Sequence, residues 1–235
     1  LVTMRYTTLL FDLDNTLFDA HTAELLAFDH ALEAGGVRSP RQYLPTYVEI
    51  NDALWAAVER QELTPNQVQA RRFADLVEAA GLDADPRVLA DNYVDGMGRV
   101  GDLYPGARAV LERLRSEATL GLVTNGLGEV QRARIERLGL EPLFAAIVIS
   151  GEVGTAKPGT KIFDLAFEAL DGPAKRSALM IGDSLSSDIA GGNNYGIATC
   201  WYNPQRKPAG TPTAVDHEIV SLDQLPELAA TGVVA

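Results

Sequence analysis

Asp12 and Asp14 stand two positions apart where the apolar run Leu9-Leu10-Phe11 ends, in the stretch Asp12-Leu13-Asp14-Asn15-Thr16. In a regular strand, side chains two apart share a face, so both carboxylates would point the same way. Two neighbouring carboxylates with no basic residue beside them repel each other, unless a cation or a shared proton relieves the cost. Such positions bind hard divalent ions and carry acid–base or nucleophilic work. An ordinary Asp-rich turn closing a strand is the competing reading of the pair taken alone.

Three further apolar runs end in groups that complement the pair. Gly121-Leu122-Val123 is followed by Thr124-Asn125-Gly126, which offers a hydroxyl, an amide and a flexible backbone. Ile147-Val148-Ile149 leads into Ser150-Gly151-Glu152-Val153-Gly154-Thr155-Ala156-Lys157-Pro158, read as an irregular loop with one lysine. Leu179-Met180-Ile181 leads into Gly182-Asp183-Ser184, with Asp188 close behind. Each fragment alone has a plain structural use: Asp183-Ser184 as a helix cap, Thr-Asn-Gly as a turn, Lys157 as a solvated loop residue. Their placement, each directly after a core strand, is the specific signal. Ligands of open parallel sheets bind outside the carboxyl ends of the strands. Together these groups describe a site for a divalent metal and a phosphoryl group. A carboxylate can attack phosphorus, a hydroxyl and amides can hold phosphate oxygens, and a lysine steadies the crowded carboxylates.

The elements that must carry these groups fall into two textures. From about residue 17 to residue 101 the pattern is helical: 22–34, 40–58 with a possible break at Pro45, 65–81 behind a Thr64 N-cap, and a helix from Pro86 that fades at Gly96, Gly98 and Gly101. Those glycines are candidate hinges, with turn punctuation as the simpler use. After Tyr104-Pro105-Gly106, helices alternate with short apolar strands, the sign of a parallel sheet covered on both faces. The first strand, Leu9–Leu13, belongs to that sheet. The chain therefore reads as α/β: a Rossmann-like parallel-sheet core over 1–16 and 102–235, with an α-helical cap domain over 17–101 inserted after the first strand.

Composition narrows the partners. Hydrophobic residues make up 46% and charged residues 22% of 235, ordinary for a globular enzyme. A net charge of −12 argues against a nucleic-acid polymer or an anionic membrane surface. No run approaches the roughly 18 apolar residues of a membrane helix. The beginning of the chain lacks the basic-then-apolar order of a secretory signal, and residues 1–3 are set aside from the fold reading. A cytoplasmic location is expected. Cys200, the single cysteine, excludes an internal disulfide and reads as a buried structural thiol.

The motifs Asp12-Leu13-Asp14-Asn15-Thr16, Thr124-Asn125, Lys157-Pro158 and Gly182-Asp183-Ser184 through Asp188 resemble the haloacid dehalogenase (HAD) superfamily, over nearly the whole chain. The resemblance implies Asp12 as nucleophile and metal ligand. It implies Asp14 as the acid and base, with its backbone carbonyl on the metal. Thr124, Asn125 and Lys157 would hold the phosphoryl group, and Asp183 would complete the Mg²⁺ sphere, with Asp188 as a direct or water-mediated support. Dehalogenases of the superfamily look similar but lack a carboxylate at the position of Asp14, so Asp14 speaks for phosphate esters. The implied activity is Mg²⁺-dependent phosphomonoester hydrolysis of a small phosphorylated metabolite by a monomer or homodimer.

A finer resemblance, to bacterial pyrimidine 5′-nucleotidases acting on modified nucleoside monophosphates, rests on 148–154, on Lys157-Pro158 with Ile162-Phe163, and on 198–203. It favours a nucleoside 5′-monophosphate. A sugar-phosphate or phosphoglycolate phosphatase, or a phosphomutase, is the alternative within the superfamily, and a non-catalytic HAD-like binding protein is the alternative outside enzymology. Trp55, Tyr47 and Phe28 are candidates to stack on a base, against a plain core role. His21 is a candidate substrate contact; His30 and His217 have no supporting constellation.

Overall fold

The computed structural model describes residues 4–209 and 213–234; residues 1–3 lie outside the described residues. Six parallel strands form one sheet: β1 (Thr8–Phe11), β2 (Thr119–Thr124), β3 (Ala146–Ile149), β4 (Ala178–Gly182), β5 (Ala198–Tyr202) and β6 (His217–Ile219). Their order, β3-β2-β1-β4-β5-β6, is that of doubly wound folds and puts a crevice at the carboxyl ends of the central strands. Alternation along each strand sends side chains to opposite layers. Leu9 and Phe11, with Leu179 and Ile181, join the apolar cluster on one face, and Leu10 and Met180 join the cluster on the other.

The helices follow from caps and apolar stripes. Between β1 and β2 lie α1 (Ala20–Ala34), α2 (Leu44–Glu59), α3 (Pro65–Ala80), α4 (Pro86–Arg99) and α5 (Ala107–Leu114). The Thr64 hydroxyl accepts from Gln67 N while Gln67 caps Thr64 N, with Pro65 in the first turn, so the expected N-cap is a full capping box. Helices α1 to α4 enclose their own apolar core around Phe28, Tyr47, Phe73 and Leu89. The remaining helices are α6 (Gly128–Arg137), α7 (Ser150–Val153), α8 (Lys161–Ala169), α9 (Ala190–Tyr195) and α10 (Leu225–Thr231).

Several local expectations are corrected. Strand β1 ends at Phe11, so Asp12 and Asp14 leave the sheet on a turn rather than on one strand face. Pro45 starts α2 instead of breaking it, since its missing N–H falls in the unbonded first turn. Gly96 and Gly98 lie inside α4, not at its fading end. They bring helices close: a Cβ on Gly96 would stand 3.1 Å from that of Ala27 in α1, and one on Gly98 2.9 Å from that of Ala133 in α6. Of these three glycines, only Gly101 adopts a left-handed backbone, at φ 87°. The loop after β3 contains the short α7, and the segment from Leu185 to Ile189 is a π turn that feeds α9.

Candidate active site

The carboxyl ends of β1, β2 and β4 meet at Asp12. Its Oδ1 accepts a hydrogen bond from Lys157 Nζ at 2.7 Å, and the same ammonium donates to Asp188 Oδ1 at 2.6 Å and to the Val123 carbonyl at 2.6 Å. All three donors of the lysine are thus committed, and Lys157 and Asp188 are fully buried. Thr16 Oγ1 lies 3.3 Å from Asp12 Oδ2 and accepts from Asp183 N at 3.0 Å, which ties the turn after β1 to the turn after β4. Ser184 N donates to Asp188 Oδ2, and Gly182 is required there because any Cβ would collide with the Asp188 carboxylate. Trp201 Nε1 holds the Asp183 carbonyl at 2.9 Å.

Asp12, Asp183 and Asp188 each offer an oxygen within 4.8 Å of the others. Three carboxylates against one ammonium leave a formal excess of two negative charges in a buried site. Burial pushes the Asp12 carboxyl well above the usual range, with Asp188 and Asp183 adding to the rise and Lys157 opposing it. Burial and then Asp188 push Asp183 up to about 7, again against Lys157. Burial alone would weaken proton binding by Lys157, but Asp12 and Asp188 reverse this and the net direction is upward. A set of carboxylate oxygens without imidazole or thiol, carrying that excess charge, fits a hard divalent ion such as Mg²⁺.

Asp14 does not join the cluster. Its Oδ1 accepts from Arg134 Nη1 at 2.7 Å and its Oδ2 from Gln131 Nε2 at 3.0 Å. Both donors come from one face of α6, three residues apart. Arg134 is fully buried, with its guanidinium 4.4 Å from the Phe18 ring and Nε on the Met97 carbonyl of α4. Neither residue was among the sequence candidates. The available signal was the pair Gln131 and Arg134 at i, i+3 just after Thr124-Asn125-Gly126.

Thr124 and Asn125 sit where the sequence puts them, at the end of β2 beside Lys157. The Asn125 amide is engaged by its neighbours: Nδ2 donates to the Lys157 carbonyl at 3.0 Å, and Oδ1 accepts from Lys157 N at 2.9 Å. It braces the lysine loop. Thr124 Oγ1 is buried, accepts from Gln131 Nε2 at 3.1 Å, and makes only a long 3.4 Å contact to Asn125 O as donor.

A cavity of about 400 Å³ opens above the cluster, between the sheet and helices α1 to α4. Asp12, Asp14 and Asp183 line its floor, and Glu24, Asn51, Trp55, Arg72, Tyr93 and Met97 line its helical side. Of the aromatic candidates, Phe28 and Tyr47 are fully buried in the helical core, whereas Trp55 is partly exposed on the cavity wall. His21 lines a separate cavity beside Asn15, Tyr104 and Trp201; the His217 ring bonds the Tyr6 hydroxyl at 2.8 Å. Cys200 is buried, and burial pushes its thiol up, as a structural thiol requires. Among the described residues, no helix is long and apolar enough to cross a membrane.

Sheet order, helical insertion and a carboxylate–lysine centre at the switch point together define a doubly wound α/β hydrolase. The model of the haloacid dehalogenase-like hydrolases matches residues 6–196, and the chain belongs to that family. It is 35% identical to pyrimidine 5′-nucleotidase YjjG of Escherichia coli, over 96% of this chain and 98% of that one. Pyrimidine 5′-nucleotidase PynA of Streptococcus pneumoniae is also 35% identical, over 94% of each chain. The HAD-hydrolase YfnB of Bacillus subtilis, solved bound to magnesium, superposes with a TM-score of 0.86 at 34% identity, over 96% of this chain and 99% of that one. A 2-haloacid dehalogenase from Pseudomonas syringae superposes at 0.71 with 28% identity, over 97% and 100%.

Proposed function

We propose that this protein is a Mg²⁺-dependent phosphomonoesterase that hydrolyses nucleoside 5′-monophosphates, with pyrimidine nucleotides preferred. The carrying observation is the division of labour among the carboxylates. Lys157 occupies Asp12 Oδ1, which leaves Oδ2, with only the 3.3 Å Thr16 contact, as the attacking oxygen. Asp14 is held apart by Arg134 and Gln131, placed for proton transfer rather than ligation. A dehalogenase would have no use for this second carboxylate, because a halide leaves without a proton.

In the first step Asp12 Oδ2 bonds to phosphorus, the ester P–O bond breaks, and the leaving oxygen takes a proton from Asp14. In the second, Asp14 removes a proton from water, which attacks phosphorus and frees Asp12 and inorganic phosphate. Asp12 and Asp183, with Asp188 behind them and the Asp14 backbone carbonyl, would hold the Mg²⁺, which supplies charge neutralisation to the phosphoryl oxygens. Lys157 acts on the phosphoryl group through its charge, since its protons are directed at Asp12, Asp188 and Val123. Thr124 can turn its hydroxyl from the weak Asn125 contact onto a phosphoryl oxygen.

Residues 17–101 serve as a cap over the reaction centre, closed against the core where Ser186 Oγ donates to Glu59 at 3.2 Å and Gln69 to Glu129 at 3.0 Å. The cavity volume suits one small phosphorylated metabolite. The names of YjjG and PynA support the pyrimidine nucleotide as substrate. A panel of phosphorylated metabolites at fixed Mg²⁺ tests it: pyrimidine nucleoside monophosphates should show the highest kcat/KM, and no turnover of any nucleotide would overturn the nucleotidase reading.

A further inference from the structure

On the helical side of the cavity, one carboxylate is held as though for a ligand. Glu24, on α1, is partly exposed and lines the cavity opposite Asp12. Its Oε1 accepts from the Tyr47 hydroxyl at 2.8 Å and from Asn51 Nδ2 at 3.0 Å, with the Tyr93 hydroxyl 3.3 Å away. Tyr47 is fixed in turn: Arg72 Nη1 donates to its oxygen at 3.2 Å, and the Tyr93 hydroxyl lies 2.8 Å from it. Two helices, α2 and α4, thus contribute the donors that pin one oxygen of Glu24, with Arg72 of α3 acting through Tyr47, and Oε2 has no protein donor among the described residues.

The arrangement is not the cheapest way to fill a helical core. Asn51 Oδ1 and Arg72 Nε are buried without partners, each at a cost of about 1–3 kcal/mol. Arg72 is 4% exposed and makes no ion pair among the described residues. Buried polar sets of this kind rigidify a chosen geometry at the expense of stability. A carboxylate oxygen accepts and never donates, so what it reads on a ligand is a hydroxyl or an N–H. Asp52 and Glu59 line the same side of the cavity, with Arg72 as the cation there, so a second phosphate would meet net negative charge.

We propose that Glu24 is the specificity-determining acceptor of the cavity: Oε2 takes a hydrogen bond from a sugar hydroxyl or ring N–H of the leaving group, and its charge excludes substrates with a second phosphate. This rests on the phosphomonoesterase reading above, and takes the leaving group to be the nucleoside end.

The test compares wild type, Glu24→Ala and Glu24→Gln on uridine 5′-monophosphate, its 2′,3′-dideoxy and N3-methyl derivatives, uridine 3′,5′-bisphosphate, and propyl phosphate, which has no donor. Glu24→Ala should lower kcat/KM for the nucleotide by about 10- to 100-fold, mostly through KM, and that for propyl phosphate by less than about threefold. In wild type, one of the two donor-deleted nucleotides should show the same loss and identify the donor; in Glu24→Ala that deletion should cost nothing further. Glu24→Gln, which keeps the shape, should raise bisphosphate turnover relative to monophosphate. Equal losses on nucleotide and propyl phosphate, or donor deletions that cost wild type less than about threefold, would overturn the proposal. The second of these needs no variant to fold. Failure of the underlying reading is separate: wild type would then release phosphate from none of these esters. If wild type hydrolyses sugar phosphates but no nucleotide, the same comparison on a sugar phosphate and its deoxy analogues decides the role of Glu24.

Discussion

The carboxylate of Asp14 lies 2.7 Å from the guanidinium of Arg134, and that contact separates it from the three carboxylates gathered around Lys157. Arg134 is itself fixed on three sides, by Met97 O, the Phe18 ring and Gln131 Oε1. Because Met97 belongs to α4, the position of Asp14 is tied to the seating of the helical insertion on the core. Arg137 extends the tie by donating to the Gly98 carbonyl in the last turn of α4 and to the Gly101 carbonyl just beyond it. Cations on the last carbonyls of a helix are favourable in themselves, so the same contacts that dock the insertion also stabilise it.

Loss of this contact should show as a dependence on the leaving group. Arg134→Met should lower kcat/KM for an alkyl phosphate by about 10²-fold, since an alkoxide needs a positioned proton, and that for an activated aryl phosphate by less than about tenfold. A purely structural loss would depress both substrates alike. Steady-state kinetics on the two esters makes the distinction.

The stability of the metal-free protein should fall as pH rises from about 4 to about 7. The folded pKa of Asp183, pushed up to about 7, lies above an unfolded value of about 3.9. Between those values the folded state binds the extra proton, so its contribution to stability is complete at low pH and is lost as pH passes through the folded pKa. Mg²⁺ should cancel the loss by favouring the ionised form. Thermal melts should therefore show a gap between Mg²⁺ and EDTA that widens from pH 5 to pH 8 in wild type and stays narrow in Asp183→Asn. A gap independent of pH would contradict this.

The strand ends were legible because apolar runs that stop abruptly at polar groups mark both the sheet and its ligand-bearing edge. Asp12, Lys157, Asp183 and Asp188 converge as their placement after strands implied. Arg134, Gln131 and Glu24 were not legible, since nothing local distinguishes a helical polar residue that meets a partner across the fold from one that meets water. Gly96 and Gly98 misled for a related reason: glycine weakens a helix by propensity, and only the close approach of Ala27 and Ala133 explains its presence inside α4. The bond between the Asn125 amide and the lysine loop was not legible either, since that loop comes some thirty residues later in the chain.

Gly101, where α4 returns to the core, should not tolerate a side chain. Its φ of 87° is left-handed, and an added Cβ would stand 2.5 Å from the Phe18 ring and 2.8 Å from the Ala23 Cβ. Gly101→Ala should destabilise the protein by about 1–3 kcal/mol through strain and overpacking. Urea unfolding at fixed pH should show the loss as a lower midpoint with an unchanged slope.

The nucleophile proposed here, Asp12, can be tested directly. Wild type mixed with Mg²⁺ and a pyrimidine nucleoside monophosphate, quenched in acid during turnover and digested, should carry one phosphoryl group on the peptide containing Asp12. Borohydride should reduce that acyl phosphate to homoserine at the same position. Asp12→Asn, folded as judged by its melt, should show neither the adduct nor turnover. Hydrolysis by Asp12→Asn at the wild-type rate, or a phosphoryl group on any other residue, would contradict the assignment of Asp12.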